Sequence, residues 1–173
     1  MVKCHMNYKF HLPFPPHSVN KMLNRNKTYS KSARIYRANV LMELQSPENL
    51  FKTKQLHDAF NRQLHVFSVT LITYYPLSKF LTKKGYVSAL TMDISNTEKQ
   101  TIDCFFITKY SDPKFLSKRV GWEKALYGSL SEIHNISHDD TYMTDMCSLK
   151  RPTSLKKAYQ EVLISIVPLK SIL

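Results

Sequence analysis

Tyr8, Phe10 and Leu12 alternate with Lys9 and His11, a period of two that predicts a half-buried strand. Pro13, Pro15 and Pro16 stop it. Ala33, Tyr36, Val40 and Leu44 then recur at helical spacing with Arg34 and Arg37 off the stripe, predicting a helix over about 32–45 that Pro47 ends. Leu56, Phe60 and Leu64 predict a second short helix, and the β-branched run from Val66 to Tyr75 a central strand. Residues 76–92 read as a long basic loop. Asp93 to Asn96 then reads as a helix start, since short polar side chains accept the free N–H groups of a first turn, and Ile102 and Phe106 would face the core. A further amphipathic segment (Trp122, Leu126, Leu130, Ile133) precedes a polar turn from Asn135 to Asp140, and two late strands follow at about 143–149 and 162–167. The order β-α-(α)-β-α-(α)-β-β describes an α/β (α+β) domain, a mixed sheet with helices packed on it. No repeat, low-complexity tract or boundary divides it, so 1–173 reads as one domain.

With 43% apolar and 12% aromatic residues, the chain can close one ordinary core, which excludes disorder and a bare coiled coil. Charge changes the picture more. The 25 Lys and Arg outnumber 13 Asp and Glu, a formal +12 that points to a polyanionic partner. Residues 1–84 hold 14 of the cations and 3 of the acids, so the field belongs to the front half and the carboxylates to the back. Cys4, Cys104 and Cys147 are odd in number and widely spaced, which excludes a full disulfide framework and the paired spacing of a zinc site. The apolar stretch from Val66 to Leu77 is too short and too interrupted to span a membrane. The expectation is a soluble, cytoplasmic protein with no membrane partner.

Two polar runs are candidates for chemistry. In the first, Asp93-Ile94-Ser95-Asn96, a helix beginning near Ser95 puts Asn96, Lys99 and Asp103 on one face, turned away from Ile102 and Phe106. Spacing alone fits a solvated face with a Lys99–Asp103 ion pair at least as well. In the second, Asp139-Asp140, adjacent carboxylates repel unless water, cations or a metal relieves them. If that turn lies beside the Asp93 helix start, Asp93 and Asp140 would hold one or two Mg²⁺ ions that activate water against a phosphodiester, with Lys99 assisting electrostatically. An exposed turn is the plainer account. His134 and His138, at i and i+4, have no third ligand at a suggestive spacing and read as turn histidines rather than a zinc pair. Tyr29, Tyr36 and Tyr86 stand near basic residues, where a tyrosine can stack on an exposed base.

Taken together, four segments resemble the RusA-type Holliday junction resolvases, small dimeric Mg²⁺-dependent endonucleases of bacteria and their phages. Leu12-Pro13-Phe14-Pro15-Pro16 followed by Asn20 and Lys21 resembles the opening strand and proline-rich turn of that family. Tyr29-Ser30-Lys31 leading to Tyr36-Arg37 resembles the approach to its first helix. Asp93-Ile94-Ser95-Asn96 with Lys99 and Asp103 resembles its catalytic segment, and Asp139-Asp140 before a strand ending at Lys150 its closing acidic pair. The matches begin at Met6, leaving residues 1–5 as an extension, and the stretch between Asn96 and Asp139 is longer than the family's, so 111–135 reads as a helical insertion.

The resemblance implies a RusA-like fold, a homodimer and branched DNA as the substrate. Asp93 and Asp140 would ligate Mg²⁺, with Mn²⁺ as a substitute, Lys99 would meet the scissile phosphate or the attacking water, and Asp139, Asp103, Asn96 and Ser95 would support them. Asn20, Lys21, Arg25, Lys27, Lys31, Arg34 and Arg37 would meet the phosphate backbone, giving affinity without sequence readout. Ser95 departs from the pattern, since the best-known members have a second aspartate there. The alternative is therefore a branched-DNA-binding protein whose chemistry is impaired. A basic RNA-binding or membrane-surface protein is disfavoured, because no amphipathic helix concentrates the charge and no RNA-binding signature is present.

Overall fold

A computed structural model of the chain describes residues 6–17, 30–88, 98–106, 121 and 142–172. Their element order is β1 (Met6–Leu12), α1 (Lys31–Leu44), α2 (Pro47–Ala59), β2 (His65–Pro76), the single turn α3 (Leu77–Phe80), α4 (Glu98–Phe106), β3 (Met143–Thr153) and β4 (Tyr159–Pro168), closed by a 3₁₀ turn at Leu169–Ser171. The four strands form one mixed sheet in the order β1-β4-β2-β3. β4 is antiparallel to β1 and β2, and β2 runs parallel to β3. The expected α+β class and the central place of β2 are therefore observed.

Local chemistry explains the helix boundaries. Ser30 caps α1 by accepting the Ala33 N–H at 3.2 Å. Ser46 does the same for α2 toward Asn49, with Pro47 in the first turn, where its missing N–H costs nothing, and Glu48 beside the positive end of the helix dipole. Pro47 thus follows the end of α1 and also starts α2, earlier than the expected second helix. That helix stops at Ala59: Phe60 is extended, and Leu64 lies exposed in the following turn instead of on a helical stripe. The expected long loop after β2 is partly ordered by α3 and by a bridge pairing Leu81 with Val87.

Inward positions of the strands (Phe10, Leu12; Phe67, Val69, Leu71; Val162, Ile164, Ile166) meet Tyr36, Val40, Leu41 and Leu44 of α1, Leu56 of α2 and Ile102, Phe105 and Phe106 of α4 in one core. Aromatic packing fixes its layers: Phe10 meets Phe105 edge-on with centroids 5.1 Å apart, and Phe67 stacks on Phe60 at 4.0 Å and meets Phe106 at 5.3 Å. On the opposite sheet face Glu161 pairs with Lys9 at 2.6 Å and accepts from Tyr74, whose ring stacks on Tyr159.

The two ends of the sheet differ in what they collect. Leu12↔Gln160, Tyr74↔Tyr159 and Pro76↔Thr153 bring the ends of β1, β2 and β3 and the start of β4 together. The other end holds the starts of β2 and β3 and the finish of β4, through Phe67↔Met143 and His65↔Pro168. Because β3 and β4 flank β2, residues 154–158 cross over its end, roughly 10 Å for two strand spacings.

Phe105→Ala should cost about 3–5 kcal/mol in urea unfolding, since it empties a fully buried ring site, whereas exposed Phe51→Ala should stay within about 0.5 kcal/mol. Equal effects from the two would displace the core from this position.

Candidate functional site

Asp93, Ser95, Asn96, Asp139, Asp140, Asn20, Lys21, Arg25 and Lys27 lie outside the described residues, as do the Trp122–Ile133 segment, His134, His138 and Tyr29. Lys99 stands in the first turn of α4. Lys31, Arg34, Arg37 and Asp103 are described in full, and Arg37 and Asp103 lie beside a buried polar cluster of Tyr36, Thr101 and Gln160.

The cluster joins three elements through the apolar core. Tyr36 Oη on α1 lies 2.6 Å from Thr101 Oγ1 on α4, and Gln160 Nε2 on β4 donates to Tyr36 Oη at 2.8 Å. Gln160 also donates to the Phe14 carbonyl at 3.4 Å, and Thr101 Oγ1 donates to Gln160 Oε1 at the same distance. Phe14 meets the Tyr36 ring edge-on at 5.8 Å, so the proline-rich turn after β1 is held against α1. Burial holds the Tyr36 hydroxyl well above the usual tyrosine range, although the hydrogen bonds to Thr101 and Gln160 pull the other way. It therefore stays protonated and keeps its donor.

Beside it, Arg37 Nη1 lies 3.6 Å from Asp103 Oδ2. Two expectations are corrected here. Arg37, read as lying off the apolar stripe and on the phosphate-contacting face, is 6% exposed and turned into the α1–α4 contact. Asp103, read as part of a solvated stripe, is half-buried and meets Arg37 of another helix. The reason is common to both: α1 packs on the sheet and on α4, so its buried arc is wider than the stripe of a helix with one neighbour, and it takes in an arginine once a carboxylate faces it. Lys31 is exposed and Arg34 half-buried. Ile102 and Phe106 face the core as expected.

Helix direction bears on the acidic segments. Thr101, near the start of α4, meets Gln160 where β2 finishes, while Phe106, at its end, packs on Phe67 where β2 begins. Tyr142, two residues beyond Asp140, packs on Phe60 at that second end. The described residues that follow Asp93 and Asp140 in sequence thus lie toward opposite ends of β2.

Among the described residues no group of three or more His, Cys, Asp or Glu side chains stands together to hold a metal. Nor, among them, is any helix long and apolar enough to cross a membrane. Burial pushes the Cys104 thiol up to about 11, making it a packing group and not a nucleophile at neutral pH.

Tyr36→Phe should lower stability by about 1–3 kcal/mol at constant ring volume, and Tyr36→Phe with Gln160→Leu should cost less than the sum of the single variants, because removing one partner strands the other. Strict additivity in urea titrations would show that the cluster carries no coupling. The raised folded-state pKa of Cys104 makes its contribution to stability complete below the ordinary thiol value of 9.0 and lost as pH rises through about 11. Stability measured at pH 8 and at pH 10.5 should fall, and Cys104→Ala should fall less. No protein-family model and no curated protein matches this chain.

Proposed function

We propose that the chain is a structure-selective endonuclease that resolves four-way or branched DNA by Mg²⁺-assisted phosphodiester hydrolysis, working as a homodimer. The observation that carries this reading is the meeting of segments that the family resemblance draws from distant parts of the chain. Phe14 of the proline-rich turn, Tyr36 and Arg37 of the first helix, and Thr101 and Asp103 of the acidic segment share one buried cluster. Such a cluster supports a functional unit in which α4, which follows the Asp93 run in sequence, is fixed against α1, which follows the basic segment.

In this reading Asp93, Asp139 and Asp140 supply the hard oxygen donors that suit Mg²⁺, with Mn²⁺ as a substitute. Bound there, the ion would lower the pKa of the attacking water and balance charge developing on the phosphate. Lys99 contributes a cation to that phosphate, and Asn96 and Ser95 support the carboxylates. Asp103 acts through Arg37 by holding α4 on α1. Asn20, Lys21, Arg25, Lys27, Lys31 and Arg34 meet the phosphate backbone.

A labelled synthetic four-way junction, incubated in Mg²⁺ and in EDTA, should yield paired symmetric nicks in Mg²⁺ alone. Asp93→Asn and Asp140→Asn should each slow cleavage by more than roughly a hundredfold, a larger loss than removal of a ligand's supporting group, and leave junction binding intact. Full rate in both would sink the site. A junction shifted but uncut by the unaltered protein, with cleavage gained in Ser95→Asp, would make the chain a junction-binding protein whose chemistry is lost at Ser95.

A further inference from the structure

The end of the sheet where β2 finishes carries a cationic surface that the site above does not use. Residues 77–88 and 150–158 contain seven Lys and Arg and not one Asp or Glu. The register Pro76↔Thr153 makes the two segments leave the sheet at neighbouring points, and α3 lies against β3. Lys79, Lys83, Lys84, Arg151, Lys156 and Lys157 are all exposed.

The first segment is a built turn. Leu81 bridges Val87, the Thr82 N–H donates to the Tyr86 carbonyl at 2.7 Å, and the Gly85 N–H donates to the Thr82 carbonyl at 2.9 Å. Gly85 takes a φ of 82°, a left-handed conformation that side chains rarely adopt, so the turn needs glycine there. The Tyr86 N–H reaches Thr82 Oγ1 at 3.2 Å, and the Ser88 N–H donates to the Phe80 carbonyl at 2.8 Å, anchoring both ends. This backbone holds Tyr86 beside Lys83 and Lys84 with its side chain outward, 70% exposed. In the second turn, where the Leu155 N–H donates to Thr153 Oγ1, Leu155 is 57% exposed next to Lys156 and Lys157.

Lysines set around a fixed, outward-facing aromatic ring have the chemistry of a stacking platform: the cations meet phosphates and the ring meets a base face. Paired bases in a duplex have no free face to offer. We propose that these two turns form a second DNA-contacting surface that takes an unpaired strand, with a base stacked on Tyr86 and its flanking phosphates on Lys83, Lys84, Lys156 and Lys157. An anionic membrane is the weaker partner, because among the described residues at this end no amphipathic helix presents the exposed apolar side chains as one face. The choice of DNA rests on the endonuclease reading; the platform itself needs neither metal nor carboxylates.

The test is fluorescence anisotropy of the full chain in EDTA with a labelled 20-nucleotide single strand, the matching duplex, an RNA of the same sequence and anionic vesicles. Single-stranded DNA should bind more tightly than the duplex. Tyr86→Ala should weaken single-strand binding roughly tenfold and duplex binding little, and Tyr86→Phe, which keeps the ring, should bind as the unaltered protein does. Lys83→Ala/Lys84→Ala and Lys156→Ala/Lys157→Ala should each flatten the slope of log affinity against log salt by about 1.4, from about 0.7 per phosphate contact. The double substitution Arg62→Ala/Lys170→Ala removes the same charge at the opposite end of the sheet and should leave the slope nearly unchanged. Equal losses from both ends, an unaffected Tyr86→Ala, tighter binding to RNA, or binding to vesicles alone would each overturn the proposal. Since no arm depends on cleavage, a chain that binds through this surface but never nicks a junction removes the nuclease reading only.

Discussion

The hydrogen bonds that Tyr36, Thr101 and Gln160 share inside the core set the geometry on which the rest of the molecule depends. Apolar side chains favour burial but are tolerant of how two helices slide or rotate against a sheet. A hydroxyl pair 2.6 Å apart, with an amide donating into it, is not tolerant, because every alternative leaves a polar group buried without a partner. One residue from α1, one from α4 and one from β4 are thereby locked at a single level of the sheet. The Phe14 carbonyl extends the lock to the turn that leaves β1.

The Arg37–Asp103 pair lies alongside this lock and works in the same sense. At 3.6 Å and largely withdrawn from water it gives little net stability, since desolvation offsets most of the attraction. Its value lies in exclusion: α1 and α4 packed in another register would leave a guanidinium stranded against the core. With the helices fixed in this way, chain direction sorts the charges. The turn after β1, the start of α1, the start of α4 and both lysine-bearing turns gather where β2 finishes, which gives one end of the sheet its positive character.

Much of this was legible in the sequence, and the exceptions share a cause. Alternation in Tyr8, Phe10 and Leu12 and the β-branched run of β2 revealed strands because a sheet face needs only a local period of two. Pro47 was ambiguous, since a proline that ends one helix also suits the first turn of the next. Arg37 and Asp103 were misread because periodicity reports the direction of a side chain and not how many neighbours its helix has. Gln160 carried a usable signal: it shares the inward parity of Val162, Ile164 and Ile166, and a polar residue at such a position implies a buried partner. The spacing of Asp93, Lys99 and Asp103 was plain, but the distance from there to Asp139 and Asp140 was not, because it follows from the direction of α4 across the sheet.

The strand order also has a consequence for how the chain acquires its structure. β4, the last strand in sequence, lies between β1 and β2 and supplies hydrogen bonds to both, with Met6 paired to Ile166 and His65 to Pro168. Until it arrives, the first strand has no neighbour and the second lacks its antiparallel one. Helices and the parallel pair can form from what is already synthesised, but the sheet closes only through contacts between the two extremes of the described chain. Such long-range pairing slows folding and leaves bare strand edges in the waiting intermediate. During synthesis those edges are sites where a chaperone or a second nascent chain can pair.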